Sequence, residues 1–282
     1  WDILLRRMDR GRVTPIVGWD ATAGILPPQQ EIADKWAAEY DYSIDDSGDL
    51  TKVAQYMAVT RDRMLPREEI AAVAAQAALG DGGDIYTALA SLPVSVYLTT
   101  NFDDLLTQAL RNAGKQPTIE VCPWRNPPAD PTILPPGVTA DPTPDTPVVY
   151  HLHGHPSDEA SLVLTEDDYF DYVVSVSRNR NVIRPRILEA LSGTSLVMVG
   201  YRLEDWMFRV LVRGLIAATE AGARGFSVAV QLGDGEPEDH EFIGDFIRAL
   251  FKASDQNKLS VYWGSPAQFA DDLRRRLEAR SP

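Results

Sequence analysis

VSVYLTTNFDDLLTQAL, Val94–Leu110, passes from an apolar, β-branched run through a polar tip into an amphipathic segment. Val94–Thr99 shows no clean alternation of apolar and polar positions, the pattern of a strand covered on both faces. Thr99, Thr100, Asn101 and Asp103 then stand where the strand ends and a helix over 103–113 begins. Thr, Asn and Asp at a helix start cap backbone donors for structural reasons alone. The carboxyl end of a parallel strand is also where open α/β sheets hold ligands. Asn101 offers a donor and an acceptor, and Asp103 an anionic acceptor, a pair suited to a sugar hydroxyl, a carboxamide or a bound water.

The same grammar recurs along the chain. Short apolar runs stand at Val13–Gly18, Val148–Leu152, Ser195–Gly200, Phe226–Gln231 and Leu259–Trp263. Helical periodicity marks Glu31–Tyr40, Arg67–Leu79, Asp103–Ala113, Val182–Leu191, Asp205–Ala218 and Pro266–Ala279. Strands alternating with helices predict a Rossmann-like, doubly wound α/β fold with a mainly parallel sheet. Two stretches break the rhythm. Residues 31–92 read as consecutive helices, a helical insert after the first strand, and 123–147 is a Pro-rich surface loop without periodicity. With no internal repeat, residues 1–282 read as a single domain.

Composition narrows the possible functions. With 44% hydrophobic residues the chain can bury a substantial core unaided. Its 41 acidic against 27 basic residues give a net charge of −14, which disfavours general nucleic-acid binding. The runs Arg178–Arg186 and Arg274–Arg280 read as solvated helix faces. No apolar stretch reaches the roughly 18 residues of a membrane-spanning helix. One cysteine, Cys122, rules out an intrachain disulfide and an all-cysteine zinc site, and fits a reducing, cytoplasmic compartment. The charged opening WDILLRRMDRGR is not a signal peptide, and a chain that starts on Trp1 is expected to be trimmed or one module of a longer protein.

Three further segments carry candidate chemistry. VTPIVGWDATAGILPP, Val13–Pro28, runs a buried strand into Gly18, where a β-to-α turn could bring backbone N–H groups to a phosphate or be only a turn. VVYHLHGHPSD, Val148–Asp158, gathers His151, His153 and His155, which on an extended strand share one face. Imidazoles suit zinc and similar ions, but only His240 and Cys122 remain as further ligands besides carboxylates, so no metal is expected. His153, beside Gly154, could act as a general base near neutral pH. SLVMVGYRLEDWMFRVL, Ser195–Leu211, ends a third buried strand at Gly200 and carries Tyr201 and Asp205 beyond it.

Taken in order, these segments resemble the sirtuin family, and more closely its zinc-free branch, found as NAD-consuming effector domains in bacterial anti-phage defence proteins. Thr99/Thr100-Asn101-Phe102-Asp103 matches the signature Thr-x-Asn-apolar-Asp. His153-Gly154, then SLVLTEDDY (Ser161–Tyr169), Gly200-Tyr201-Arg202-Leu203-Glu204-Asp205 and the ending VYWGSPAQFADDLRRRL follow the same branch. The resemblance implies cleavage of the nicotinamide–ribose bond of NAD through an oxocarbenium-like sugar, giving nicotinamide and ADP-ribose. It implies that Asn101 positions the ribose or a water, that His153 takes a proton, and that Asp103 meets the nicotinamide carboxamide. Gly18, Thr22, Thr100, Gly200, Tyr201 and Asp205 would bind the nucleotide. It also implies a homo-oligomer, or a sensor module or partner chain that gathers the domains.

The chain departs from that pattern at Gly18-Trp19-Asp20-Ala21-Thr22, where the family has Gly-Ala-Gly-x-Ser. Asp20 adds a side chain and a negative charge where a pyrophosphate would lie. The Arg that follows a Gly-Ile-Pro stretch in the family is also absent from Gly24-Ile25-Leu26-Pro27-Pro28. Two other readings therefore stand beside NAD cleavage. One is a module that senses a nucleotide or only oligomerises; the other is a metal-dependent hydrolase built on the histidine cluster.

Overall fold

The computed structural model describes residues 1–44, 46–80, 84–133, 141–179, 181–202, 227–232 and 258–280, with 241, 245 and 249. Seven strands are described: β1 Val13–Val17, β2 Val96–Thr99, β3 Thr118–Val121, β4 Val148–His151, β5 Ser195–Val199, β6 Ser227–Leu232 and β7 Lys258–Trp263. They form one sheet in the order β3-β4-β2-β1-β5-β6-β7. Every pairing is parallel. This is the doubly wound, Rossmann-like α/β architecture that the alternating pattern predicts. The chain leaves β1 on one side to build β2, β4 and β3 and returns on the other to build β5 to β7. The switch point lies between the carboxyl ends of β1 and β5.

Both faces of the sheet are covered, which is why the strands read as continuous apolar runs. Val17, Tyr97, Val149, Val197 and Val199 face one core. Ile16, Leu98, Tyr150, Leu196 and Met198 face the other. The first core holds Trp36 and Tyr86 from the segment between β1 and β2, buried to 1% exposure each. There α1 (Asp2–Met8) precedes β1, and α2 Gln29–Glu39, α3 Leu50–Thr60, α4 Leu65–Ala74 and α5 Asp84–Ala90 follow it. No strand interrupts these helices among the described residues. α3 begins at Asp49, whose carboxylate accepts from the N–H groups of Thr51 and Lys52.

Beyond β2 come α6 Leu105–Asn112, α7 Glu166–Arg178, α8 Pro185–Gly193 and α9 Pro266–Glu278. Capping boxes at Thr165/Asp168 and Ser265/Gln268 start α7 and α9. Neither β3 nor α7 was anticipated. The reason for β3 is Glu120, 2% exposed in mid-strand and held by ion pairs to Arg184 and Arg186. A charge in a short run hides a strand whose neutralising partners lie far along the chain. The helix expected over Asp205–Ala218 lies outside the described residues. The described parts of the Pro-rich loop contain no helix or strand. They are tied to the segment before α8 by Asn181 Nδ2, bonded to the carbonyls of Pro128 and Ala129, and by Arg184 Nη1 on those of Pro131 and Ile133.

Candidate active site

The carboxyl ends of β1, β2, β4 and β5 open into a cavity of about 360 Å³, within the range of small-molecule sites. Its sheet side is lined by Thr100, Asn101, His153, Gly200 and Tyr201, residues from three separate strand ends. The helical insert supplies the opposite wall, including Asp49 and Leu50 at the start of α3. Residues singled out on unconnected stretches of sequence thus meet in one crevice at the switch point.

Asn101 is 1% exposed and fixed from several sides. Its Nδ2 donates to the carbonyl of Gly18 at 3.1 Å and reaches the hydroxyl of Tyr86 at 3.4 Å. Its own N–H donates to Thr99 Oγ1 at 3.0 Å. Oδ1 is buried without a hydrogen-bond partner, an acceptor whose desolvation is uncompensated unless something arrives to donate to it. His153 is 6% exposed, its ring held edge-on by Tyr169 at 5.5 Å and Tyr172 at 5.2 Å. Burial pushes its pKa down to about 3, so the imidazole is neutral at neutral pH. Its place is set by Gly154, φ +90°, and by the bond from Val163 N–H to the His153 carbonyl.

Not every anticipated residue reaches the cavity. Gly18 sits behind it, donating to Val199 O at 2.8 Å. Thr22 is 1% exposed, and its hydroxyl donates to Trp19 O at 2.8 Å, closing the short 3-10 turn Trp19–Thr22. In that turn the N–H groups of Asp20, Ala21 and Ala23 bond to the carbonyls of Gly200, Gly18 and Asp20. These donors are engaged within the fold, not offered to a phosphate. Asp103, one residue before the N-cap Asp104, closes a local turn into α6, accepting from Leu105 N–H at 2.9 Å through Oδ1 while Oδ2 is buried without a partner. Burial raises its carboxyl to about 6 against the opposing Leu105 N–H and the Asn101 side chain. Asp205 lies outside the described residues.

The histidines do not share one face as an extended strand would arrange them. β4 ends at His151, the chain turns through Leu152–Gly154, and His155 folds back so that its ring stands 4.7 Å from that of His151. His153 is left alone in the cavity wall.

The sequence marks Trp19 as a departure from the family's turn, but gives no structural role to Trp19, Arg202, Tyr169 or Asp104. Trp19 forms a wall, 8% exposed, with its indole N–H on Pro27 O and its ring 6.1 Å from Phe102. Arg202 Nε donates to Asp20 Oδ2 at 2.5 Å across the mouth. Tyr169 closes the Ser161–Tyr169 stretch and packs on His153, and Asp104 stands at a helix start beside His155. The adjacent acids Asp103-Asp104 are the available signal for Asp104.

Residues 95–250, more than half of the chain, match the family model described as SIR2-like domain. Among curated proteins the chain is similar to three, each named NAD(+) hydrolase ThsA. The one from Enterococcus faecium is 39% identical over 84 residues, 30% of this chain and 15% of its own length. That from Cytobacillus dafuensis is 28% identical over 170 residues, 60% of this chain and 31% of its own. That from Acinetobacter baumannii (strain 532279) is 30% identical over 162 residues, 54% and 30% respectively. The chain thus spans at most about a third of the length of the curated relatives it matches.

Proposed function

The chain belongs to the SIR2-like family, and on that premise we propose that it hydrolyses NAD at the nicotinamide–ribose bond, with Asn101 and His153 at the reacting sugar. The observation that carries this reading is their convergence on one cavity from β2 and β4. The names of the three relatives, NAD(+) hydrolase, supply the substrate.

Asn101 presents a fixed acceptor, Oδ1, to a ribose hydroxyl or an attacking water, because Nδ2 is held by Gly18. Neutral His153 is the proton acceptor for such a hydroxyl or water; its pKa, held at about 3 by burial, has to rise when the anionic substrate enters and offsets that desolvation. Thr100, Gly200 and Tyr201 line the nucleotide's path, with Tyr201 Oη and Thr100 Oγ1 3.2 Å apart. Cleavage develops positive charge on the sugar, and the oriented Asn101 oxygen is the dipole that stabilises it, while Asp103, behind the cavity wall, adds negative charge only at a distance. Nicotinamide and ADP-ribose leave. In this reading the domain is a defence effector that depletes NAD once copies or a sensor partner assemble it.

The test is nicotinamide release from NAD by the purified chain, alone and under conditions that promote self-association. Asn101→Ala and His153→Ala are expected to lose on the order of 10²-fold or more. Wild-type turnover in both variants would remove the proposed site. Tight NAD binding without turnover in any assembled state would favour nucleotide sensing instead.

A further inference from the structure

We propose that Asp104, His151 and His155 form a site for one zinc-class divalent cation, tying the loop after β2 to the loop after β4 beside the cavity. One ligand atom from each lies within 4.8 Å of the others. His155 Nε2 and Asp104 Oδ1 are 3.2 Å apart, close to the spacing of two ligands on a tetrahedral ion with bonds of about 2.0–2.1 Å. The remaining distances, up to 4.8 Å, close by at most about 1.5 Å when the exposed Asp104 and the loop residue His155 move toward the buried His151.

An independent observation points to a ligand. His151 is fully buried, its Nδ1 lies 3.2 Å from the carbonyl of Asn101, and its Nε2 has no hydrogen-bond partner. A proton on Nδ1 bonded to a backbone carbonyl leaves the Nε2 lone pair free, the arrangement that orients metal-ligating histidines. Without an ion, that lone pair is a buried acceptor left unsatisfied. On His155, Nδ1 accepts from Ser157 N–H at 3.1 Å and lies 2.8 Å from Ser157 Oγ, so without an ion the proton sits on Nε2, facing Asp104. Ligation through Nε2 moves its proton to Nδ1, which gives up the bond from Ser157 N–H and donates instead to Ser157 Oγ, a tautomer change that the metal bond has to offset.

Asp104, with 44% of its side chain exposed, leaves an approach for the ion and a fourth position for water. Two imidazoles, one carboxylate and a water make a nitrogen- and oxygen-rich set that suits Zn²⁺ and excludes a soft thiolate-selected ion. Gly154 makes the site possible, since its φ of +90° returns His155 toward His151. Because His151 also holds the Asn101 carbonyl, an ion here stiffens the loop that carries Asn101. The inference concerns binding and stability, and stands whether or not the chain cleaves NAD.

The experiment uses the full chain without a polyhistidine tag, stripped with a chelator and shown to be folded by circular dichroism. Zn²⁺ is titrated calorimetrically, and Co²⁺ is added as a spectroscopic probe. One equivalent is expected to bind, with visible d–d absorption for Co²⁺. The melting temperature should rise by roughly 5 °C or more at a hundredfold excess over Kd. Asp104→Asn and His155→Gln, both at the more accessible side, should each weaken binding at least tenfold while remaining folded without metal. Absence of saturable binding by the folded wild-type chain overturns the proposal. So does binding of wild-type strength in both variants.

Discussion

Gly18 and Gly200 approach so closely that neither has room for a side chain. A Cβ on Gly18 would lie 2.5 Å from the carbonyl oxygen of Gly200, and one on Gly200 would lie 2.4 Å from the backbone nitrogen of Ala21. Gly200 also has φ +77°, a conformation that costs other residues about 1–2 kcal/mol. This contact brings the ends of β1 and β5 together at the switch point and forms the floor of the cavity.

Gly200→Ala therefore meets backbone strain and a backbone clash at once. The expected cost is about 3 kcal/mol, the sum of the two effects, seen as a lower urea midpoint. Nicotinamide release should fall with it, because the floor must open. A variant with wild-type midpoint and turnover would show that the two turns yield easily.

The wall that carries His153 depends on a buried charge cluster. Asp168 accepts from Arg67, whose side chain is 3% exposed, and from Arg125. It also accepts from the N–H groups of Leu164 and Thr165. Asp168→Ala leaves Arg67 buried without its counter-charge, and should destabilise the fold by about 3–5 kcal/mol in urea denaturation. Arg67→Met combined with Asp168→Leu should recover part of that loss, since the buried guanidinium is then gone and the Arg125 left behind is 24% exposed and can be solvated. Equal stability of Asp168→Ala and wild type would mean that water reaches Arg67.

How far the site was legible in the sequence follows from what each residue needs. Thr100, Asn101 and Gly200 could be found because strand ends announce themselves where apolar runs stop. The exchange of neighbours that makes β1 adjacent to both β2 and β5 then brings those ends together. Thr22 and Asp103 looked alike on the page but satisfy local donors and acceptors, Trp19 O for one and Leu105 N–H for the other. A capping carboxylate and a ligand-binding one have the same sequence signature. The histidine triplet was misplaced because period-two alternation holds only while the strand continues, and β4 stops at His151. Long-range pairs such as Arg202 with Asp20, or Glu120 with Arg184, leave no local trace at all.

Cys122 lies in the second core, 1% exposed, and burial pushes its thiol up to about 12. The thiolate is the reactive form, so the native protein should resist thiol reagents at pH 8, with labelling only as fast as the chain unfolds. Below about 9 the thiol is protonated in both states and favours neither. Between about 9 and 12 only the unfolded chain ionises, so this group lowers stability as pH rises through that window. Disulfide-exchange labelling with and without denaturant checks the first point. Rapid native labelling at pH 8 would contradict the burial.

Asp20 stands where the family pattern has glycine, a poor neighbour for a pyrophosphate, and the turn's N–H groups are engaged by carbonyls. Arg202 Nε reaches Asp20 Oδ2 at 2.5 Å, and both residues line the cavity. The pair cancels the charge of Asp20 and keeps a guanidinium, with donors in a fixed fork, at the entrance to the nucleotide path. If Arg202 provides the phosphate contact that the turn does not, Arg202→Ala removes a cation and exposes an anion together. KM for NAD should then rise roughly tenfold or more, the worth of a charge-assisted hydrogen bond, with a smaller change in kcat. Asp20→Gly should move KM the other way by freeing the guanidinium. Both shifts should shrink in high salt, because the pair is half exposed and open to screening. The discriminating variant is Arg202→Lys, which keeps the charge but not the fork, and is expected to fall between wild type and alanine. Unchanged KM across all three variants would place phosphate recognition elsewhere in the crevice.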